Sequence, residues 1–353
     1  MTATDPARRF EMTVAIPTVG RSDVLANTLR DLATQRGVAF EVVIVNQGDD
    51  PLDAAAAVAK ESGLAVRCFH QPEPNASLAR NVALREALAE IVLFLDDDMA
   101  LPNEQFLAAH LRCYCDSRVA GVAGQVLGPG AAARTRPLHR WASHPRTGWL
   151  YTPSDWCEAR ETPNGISCNL SVRRDWAVDV GGMDARFERG AHREESDFCL
   201  RLTAKYGPLR FEPQASAVHL HVPSGGCRSW NNDAHGVAQS PNTYAEHHLT
   251  GEWYFLWRGL QLGTIKLRDL HHYLAATFRR QIWNRPNGRR WRGMGAAIVA
   301  STRGLFCAVA AIRKGPRCIG SVESTSYSRQ WAQPPNEPAA HALNSPDVMR
   351  QDC

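Results

Sequence analysis

A chain of 353 residues, 44% hydrophobic and 22% charged, can bury one large core or two smaller ones, which excludes a disordered or fibrous polypeptide. The formal net charge of +4 conceals an asymmetry: Gly251–Gly320 holds thirteen Lys/Arg against Glu252 and Asp269, a net of +11, leaving −7 for the remainder. A mildly acidic body with a basic C-terminal segment points to an anionic partner for that segment.

Along the first hundred residues, short apolar runs alternate with helical patterns. Thr13–Ile16, Val42–Val45, Val66–Phe69 and Ile91–Leu95 read as buried strands, and Asp23–Gln35, Leu52–Ser62 and Ser77–Ala89 as helices between them. This alternation predicts βαβ units, hence an α/β fold with a mostly parallel central sheet flanked by helices. Such sheets bind ligands beyond the carboxyl ends of their strands. Val119–Leu127 continues as a strand, and the Pro-, Gly-, Arg- and Trp-rich Gly128–Arg160 reads as an irregular insertion. A compact pattern resumes with strand Ile166–Val172, helix Asp175–Val180, the Gly181-Gly182 turn, helix Glu194–Tyr206 and a final strand Ser216–Val222. Ser224–Thr243 is polar and Gly-rich, as in a loop. Gly251 to about Gly320 reads as helical, and Ser321–Cys353 has the composition of a loose tail. These shifts divide the chain at 1–128, 129–250, 251–320 and 321–353.

The longest apolar stretch, Gly295–Ile312, is interrupted by Ser301, Thr302 and Arg303, which argues against a membrane-spanning helix. The ten cysteines include no CxxC pair, and Met1–Glu11 lacks the apolar core of a signal peptide. A reduced, cytoplasmic protein is the simple reading.

The fourth strand runs directly into Asp96-Asp97-Asp98. Three adjacent carboxylates repel one another unless a cation gathers them, and their hard oxygens suit Mg²⁺ or Mn²⁺, which can also bridge a diphosphate. A solvated acidic turn is the alternative. The surrounding residues resemble glycosyltransferase family 2: Asn75-Ala-Ser-Leu-Ala-Arg80-Asn81 before the acidic run, and the opening Val14-Ala-Ile-Pro17-Thr18-Val-Gly-Arg21 followed by Val42–Val45. The resemblance implies the GT-A fold, a Rossmann-like sheet carrying a nucleotide-sugar donor whose diphosphate is held through a divalent ion. It further implies Asp96 and Asp98 as metal ligands, Asp97 near the ribose, and Pro17, Thr18, Arg21 and Arg80 at the nucleotide. The chain departs from the family after the second strand, where an acidic pair is usual and Asn46-Gln47-Gly48-Asp49-Asp50 stands here. An amide donates and accepts, so Asn46 and Gln47 can read a base edge. A UDP-sugar is the favoured donor.

In the second half, Gly181-Gly-Met-Asp184 and Glu194-Glu195-Ser-Asp197 resemble the family's Gly-Gly-Phe-Asp turn and its acidic helix start. The resemblance makes Glu195, where Asp is commoner, the general base of an inverting transfer. Acids that only complement a helix dipole are the bland alternative. Phe211-x-Pro213-x-Ala215-x-Ala-Val-His219 resembles the strand that supplies the family's metal-binding histidine. His219 is preferred over His221, which alternation would put on the same face. Arg228, in Pro223-Ser-Gly-Gly-Cys-Arg228, is a candidate for the pyrophosphate, or part of an ordinary surface loop.

The basic segment interleaves Trp253, Tyr254, Phe255, Trp257, Trp283 and Trp291 with Arg258, Arg279, Arg280, Arg285, Arg289, Arg290 and Arg292. This mixture suits peripheral contact with an anionic membrane surface, or aromatics packed on the catalytic core beneath a solvated basic face. Nucleic acid ranks lower, since no nucleic-acid motif accompanies it. The resemblance as a whole implies a metal-dependent inverting glycosyltransferase acting on a glycan or lipid-linked acceptor. Its rivals are a retaining or nucleotidyl-transferring α/β enzyme and a non-catalytic nucleotide- or glycan-binding protein on the same fold.

Overall fold

The computed structural model describes residues 10–135, 154–188, 192–222, 246–279, 283, 291–320 and 326–335. Ten strands form one sheet in the order β10-β3-β2-β1-β4-β8-β6-β9-β5, with β7 also on β9. The N-terminal half is β1 (Met12–Thr18), α1 (Ser22–Ala33), β2 (Phe40–Asn46), α2 (Asp53–Ser62), β3 (Val66–His70), α3 (Ala76–Glu86) and β4 (Ile91–Leu95). Here β1 pairs in parallel with both β2 and β4, and β2 with β3, as βαβ crossovers require. Side-chain alternation sends Val14, Ile16, Val42 and Ile44 to one face, under Leu25 and Leu29 of α1. It sends Ala15, Val43, Val45 and Phe94 to the other, under α3 and Phe198.

The sheet is parallel as expected as far as β4 and mixed beyond it. The chain continues through β5 (Met99–Ala100), α4 (Phe106–Arg112), β6 (Gly121–Leu127), β7 (Arg160–Thr162), β8 (Asn169–Arg173), α5 (Arg174–Asp179), α6 (Glu194–Tyr206) and β9 (Leu209–His219). Strand β8 runs antiparallel to β4 and β6, while β9 is parallel to β6 and antiparallel to β5 and β7. A buried apolar run reads alike in either direction, so composition could not show this reversal. The last strand also begins earlier than Ser216, because Leu209, Phe211 and Ala215 already alternate into the core.

The extension is helical as expected: α7 (Glu246–Leu262), α8 (Leu270–Phe278) and α9 (Trp291–Lys314). Tyr254 and Phe255 are buried with Phe187, Leu200 and Tyr273, so α7 packs its aromatics on the sheet domain. Arg258 is not a surface cation. It is buried within 3.3 Å of both Asp184 and Asp197. One further expectation is corrected. Residues 328–333 of the supposed loose tail form β10 (Ser328–Gln333), antiparallel to β3 at the sheet edge. Within α9, Met294–Lys314 has a mean hydropathy of 1.7 and is long and apolar enough to cross a membrane. Its polar residues do not interrupt the helix: Trp253 Nε1 donates to the Ser301 carbonyl at 3.1 Å, and Thr302 Oγ1 donates back to the Ile298 carbonyl at 2.9 Å.

Candidate active site

The parallel pairing of β1, β2 and β4 brings Thr18, Asn46 and Asp96 to one edge of the sheet. Met99 of β5 pairs with His219, the last residue of β9, and the Leu220 N–H donates to the Asp98 carbonyl at 3.0 Å. This register sets His219 Nε2 3.1 Å from Asp98 Oδ1. One ligand atom each of Asp96, Asp98 and His219 lies within 4.8 Å of the others, a spacing that fits one cation shared among two carboxylates and an imidazole. The His221 ring lies 4.1 Å from that of His219, although the chain has left the strand there with a φ of 56°. Beside the cluster, a cavity of about 270 Å³ is lined by Asp96, Ser167, Cys168, His219 and His221, among others.

The three aspartates differ in exposure and in partners. Asp97 is fully buried: Thr18 Oγ1 donates to it at 2.6 Å, Arg21 Nε at 3.0 Å, and burial pushes its carboxyl up to about 6 against their pull. Thr18 and Arg21 hold it inside the protein. Burial would also raise Asp98. The His219 hydrogen bond and charge, Arg21 at 3.7 Å and the Val222 N–H outweigh that and keep its carboxyl below the ordinary value. Asp96 is the most open, with 28% of its side chain exposed.

Arg80 shows why the Asn75–Asn81 segment has its composition. From α3 its guanidinium reaches Asp96 at 3.0 Å and Glu194 at 2.5 Å, and only 4% of its side chain is exposed. It thereby joins the two acidic motifs. Ser77 Oγ donates to Glu194 at 2.6 Å, and burial pushes that carboxyl up to about 7 against the pull of Arg80. Asn75 caps α3 by accepting from the Leu78 N–H and donates to the Ala185 carbonyl, while Asn81 exchanges hydrogen bonds with the Met183 backbone. A Cβ on Gly182, whose φ is +63°, would collide with Asn81, so the turn needs glycine.

Glu195 follows directly. It is half-buried at the N-terminus of α6 and makes no hydrogen bond or ion pair among the described residues, while Glu194 and Asp197 beside it are buried and bonded. The residue before Glu194, Arg193, has a left-handed φ of 74°, a conformation that costs a non-glycine residue about 1–3 kcal/mol. Glu252 of α7 holds it: this buried carboxylate accepts from Arg193 Nε at 3.2 Å and Tyr273 at 2.6 Å, and meets His192 Nε2 at 2.9 Å. Sequence reasoning missed Glu252, although an acid in so basic a stretch is itself a signal.

Two expected nucleotide readers are otherwise engaged. Asn46 is buried, donating to the Asp50 carbonyl at 2.7 Å and to Gln330 of β10 at 3.1 Å, and accepting from the Gly48 N–H. Gln47 is buried and accepts from the Asn75 N–H at 2.7 Å. Both amide side chains are buried, Asn46 completely and Gln47 with only its Oε1 engaged among the described residues. Pro17 is half-buried on β1. Arg228, like Arg280, Arg285, Arg289 and Arg290, lies outside the described residues.

Comparison with known proteins gives the family of one segment. The sequence pattern of glycosyl transferase family 2 matches residues 13–181, which span the parallel half, the aspartates and the Gly181 turn. Residues 13–181 are a glycosyltransferase family 2 domain. An uncharacterised glycosyltransferase of Escherichia coli (strain K12), YibD, is 33% identical over 97 residues, 26% of this chain and 28% of the relative. The match thus spans little more than a quarter of that relative's length. Among solved structures, the mannosyltransferase PcManGT of Pyrobaculum calidifontis, in complex with GDP-Man and Mn²⁺, is 19% identical with a TM-score of 0.50, covering 88% of each chain. S. aureus TarS 1–349, in complex with UDP-GlcNAc, is 14% identical with a TM-score of 0.53, covering 86% of this chain and 92% of its own. At such identities the likeness is one of fold. It agrees with the glycosyltransferase family 2 domain, and the sheet has the GT-A arrangement that the motifs implied.

Proposed function

We propose that this chain is a divalent-metal-dependent, inverting glycosyltransferase that moves a sugar from a nucleoside-diphosphate sugar, a UDP-sugar first among them, to a hydroxyl of a glycan or lipid-linked glycan. The observation that carries this reading is the grouping of Asp96, Asp98 and His219 within 4.8 Å, tied through Arg80 to the helix start that bears Glu195. A Mn²⁺ or Mg²⁺ ion, when bound, offsets the charge that develops on the departing nucleoside diphosphate. The chain's own residues supply the rest. Glu195 accepts the proton of the acceptor hydroxyl as its oxygen attacks the anomeric carbon from the face opposite the leaving group, which inverts that carbon in one displacement. Arg80 keeps the two carboxylate motifs in register, and Glu252 fixes the strained turn that aims the base. The acceptor is expected to reach the site from an anionic membrane surface on the cytoplasmic side.

A thermal-shift screen of nucleoside diphosphates and nucleotide-sugars, with and without Mn²⁺, tests donor and metal together. A donor at a hundredfold over its Kd should add about 2.7 kcal/mol, only with the ion present, and Asp98→Ala should abolish the gain. Stabilisation indifferent to Mn²⁺, or release of pyrophosphate in place of nucleoside diphosphate, would overturn the reading.

A further inference from the structure

Exposed apolar side chains are concentrated in one part of the molecule. Of the eleven large hydrophobic side chains exposed among the described residues, nine lie between Leu262 and Phe306. Four belong to α9: Ile298, Val299, Leu305 and Phe306, the last 71% exposed. At 100° per residue these project from the side of the helix away from Ala297, Gly304 and Ala308, which are buried. The buried side is fixed to α7, since a Cβ on Gly304 would come within 2.9 Å of the Thr250 backbone nitrogen. The helix therefore lies flat along the protein with an apolar face turned outward. Leu274 and Phe278 of α8 line, with Ser301 of α9, an apolar cavity of about 240 Å³, which carries the surface across the gap between the helices.

Charge identifies what covers this face. Helix α9 contains no acid, and Arg303, Arg313 and Lys314 are exposed along it. Leu267, 74% exposed, stands between exposed Lys266 and Arg268. The nearby acid, Asp269, is 13% exposed and sits beside Arg268. An apolar stripe bordered by cations matches an interface where acyl chains underlie anionic headgroups. A second copy of this chain would set the same cations against each other.

We propose that the outward face of α9, with the adjoining end of α8, docks the protein on an anionic lipid bilayer, the helix lying in the plane of the headgroups. This deepens the proposed function by naming the surface that meets the membrane, and it is read independently of sugar transfer. The test is sedimentation of the full chain with vesicles of phosphatidylcholine and phosphatidylglycerol in equal parts, against phosphatidylcholine alone. The protein should partition onto the anionic vesicles, and less so as salt rises. Ile298→Ser with Phe306→Ser should weaken partition about a hundredfold. Arg303→Glu with Lys314→Glu, a pair that leaves the apolar face intact, should weaken it at least tenfold. Both variants should keep the wild-type melting temperature and donor hydrolysis, so failure here leaves the transferase reading standing and failure of hydrolysis leaves this one. Wild-type protein that stays in the supernatant, or variants that bind as wild type does, would overturn the proposal. So would a concentration-dependent dimer in sedimentation velocity that the serine substitutions dissociate, since it would give the face to a second copy.

Discussion

After β4 and at the start of α6 the chain carries runs of neighbouring acids, and the two runs are neutralised from different directions. In the first run Arg80 of α3 meets Asp96, Arg21 and Thr18 hold Asp97, and His219 of β9, with Arg21 again, meets Asp98. In the second run Glu194 is held by Arg80 and Ser77, and Asp197 by Arg201 of its own helix and Arg258 of α7. Glu195 has no such partner among the described residues. Adjacent acids of one chemical type thus separate into members that tie elements together and members that face the reactants. What assigns them is the reach of distant arginines, and Arg80, bonded to both runs, makes the two assignments one structural fact.

The comparison breaks most readily at Glu195. Glu195→Gln should lower the turnover number about 10²–10⁴-fold while leaving the melting temperature and donor affinity near wild type. The same change at Glu194 should cost stability as well, so finding the two variants alike in initial rates and thermal unfolding would erase the distinction. Next in size is Arg80→Met, which leaves two carboxylates without their shared cation. A loss of about 3–5 kcal/mol in urea unfolding is expected, whereas a loss under 1 kcal/mol would mean that the bridge joins little. A third test looks at a buried group outside both runs. His110 of α4 is buried between Asn169 and Ser171 of β8, and burial pushes its imidazole down to about 4. Its unfolded form takes up a proton near pH 6.5 and its folded form only near pH 4, so stability is present above 6.5 and falls as the pH drops through that window. The decline should total about 3 kcal/mol. It should flatten in His110→Gln, read from the slope of unfolding free energy against pH; an unchanged slope would move the acid sensitivity to the carboxylate runs.

Much of the parallel half was legible because its signals are local. Strand Ile91–Leu95 and helix Glu194–Tyr206 have the bounds that apolar runs and terminal residues dictated, and His219 meets Asp98 as the order of motifs implied. What could not be read depends on partners far away in sequence. Asn46 resembles a base reader until Gln330, 284 residues later, takes its amide. Asp97 reads as an open carboxylate until Arg21 closes over it. The outward face of α9 lay within reach of sequence analysis, since the spacing of Ile298, Leu305 and Phe306 opposite Ala297, Gly304 and Ala308 is helical. Counting its polar residues, instead of asking which side they occupied, concealed it.

Strand β10 has a consequence for how the protein can be divided. The edge strand β3 receives its outer neighbour only when residues 328–333 arrive, and β6 receives β9 only after Gly181, where the family match stops. A fragment cut at that glycine would expose two open rows of backbone N–H and C=O groups, an invitation to intermolecular pairing. During translation the β3 edge stays uncapped until residues 328–333 follow, some 260 residues after β3, so this stretch can act as a latch on the domain that precedes it.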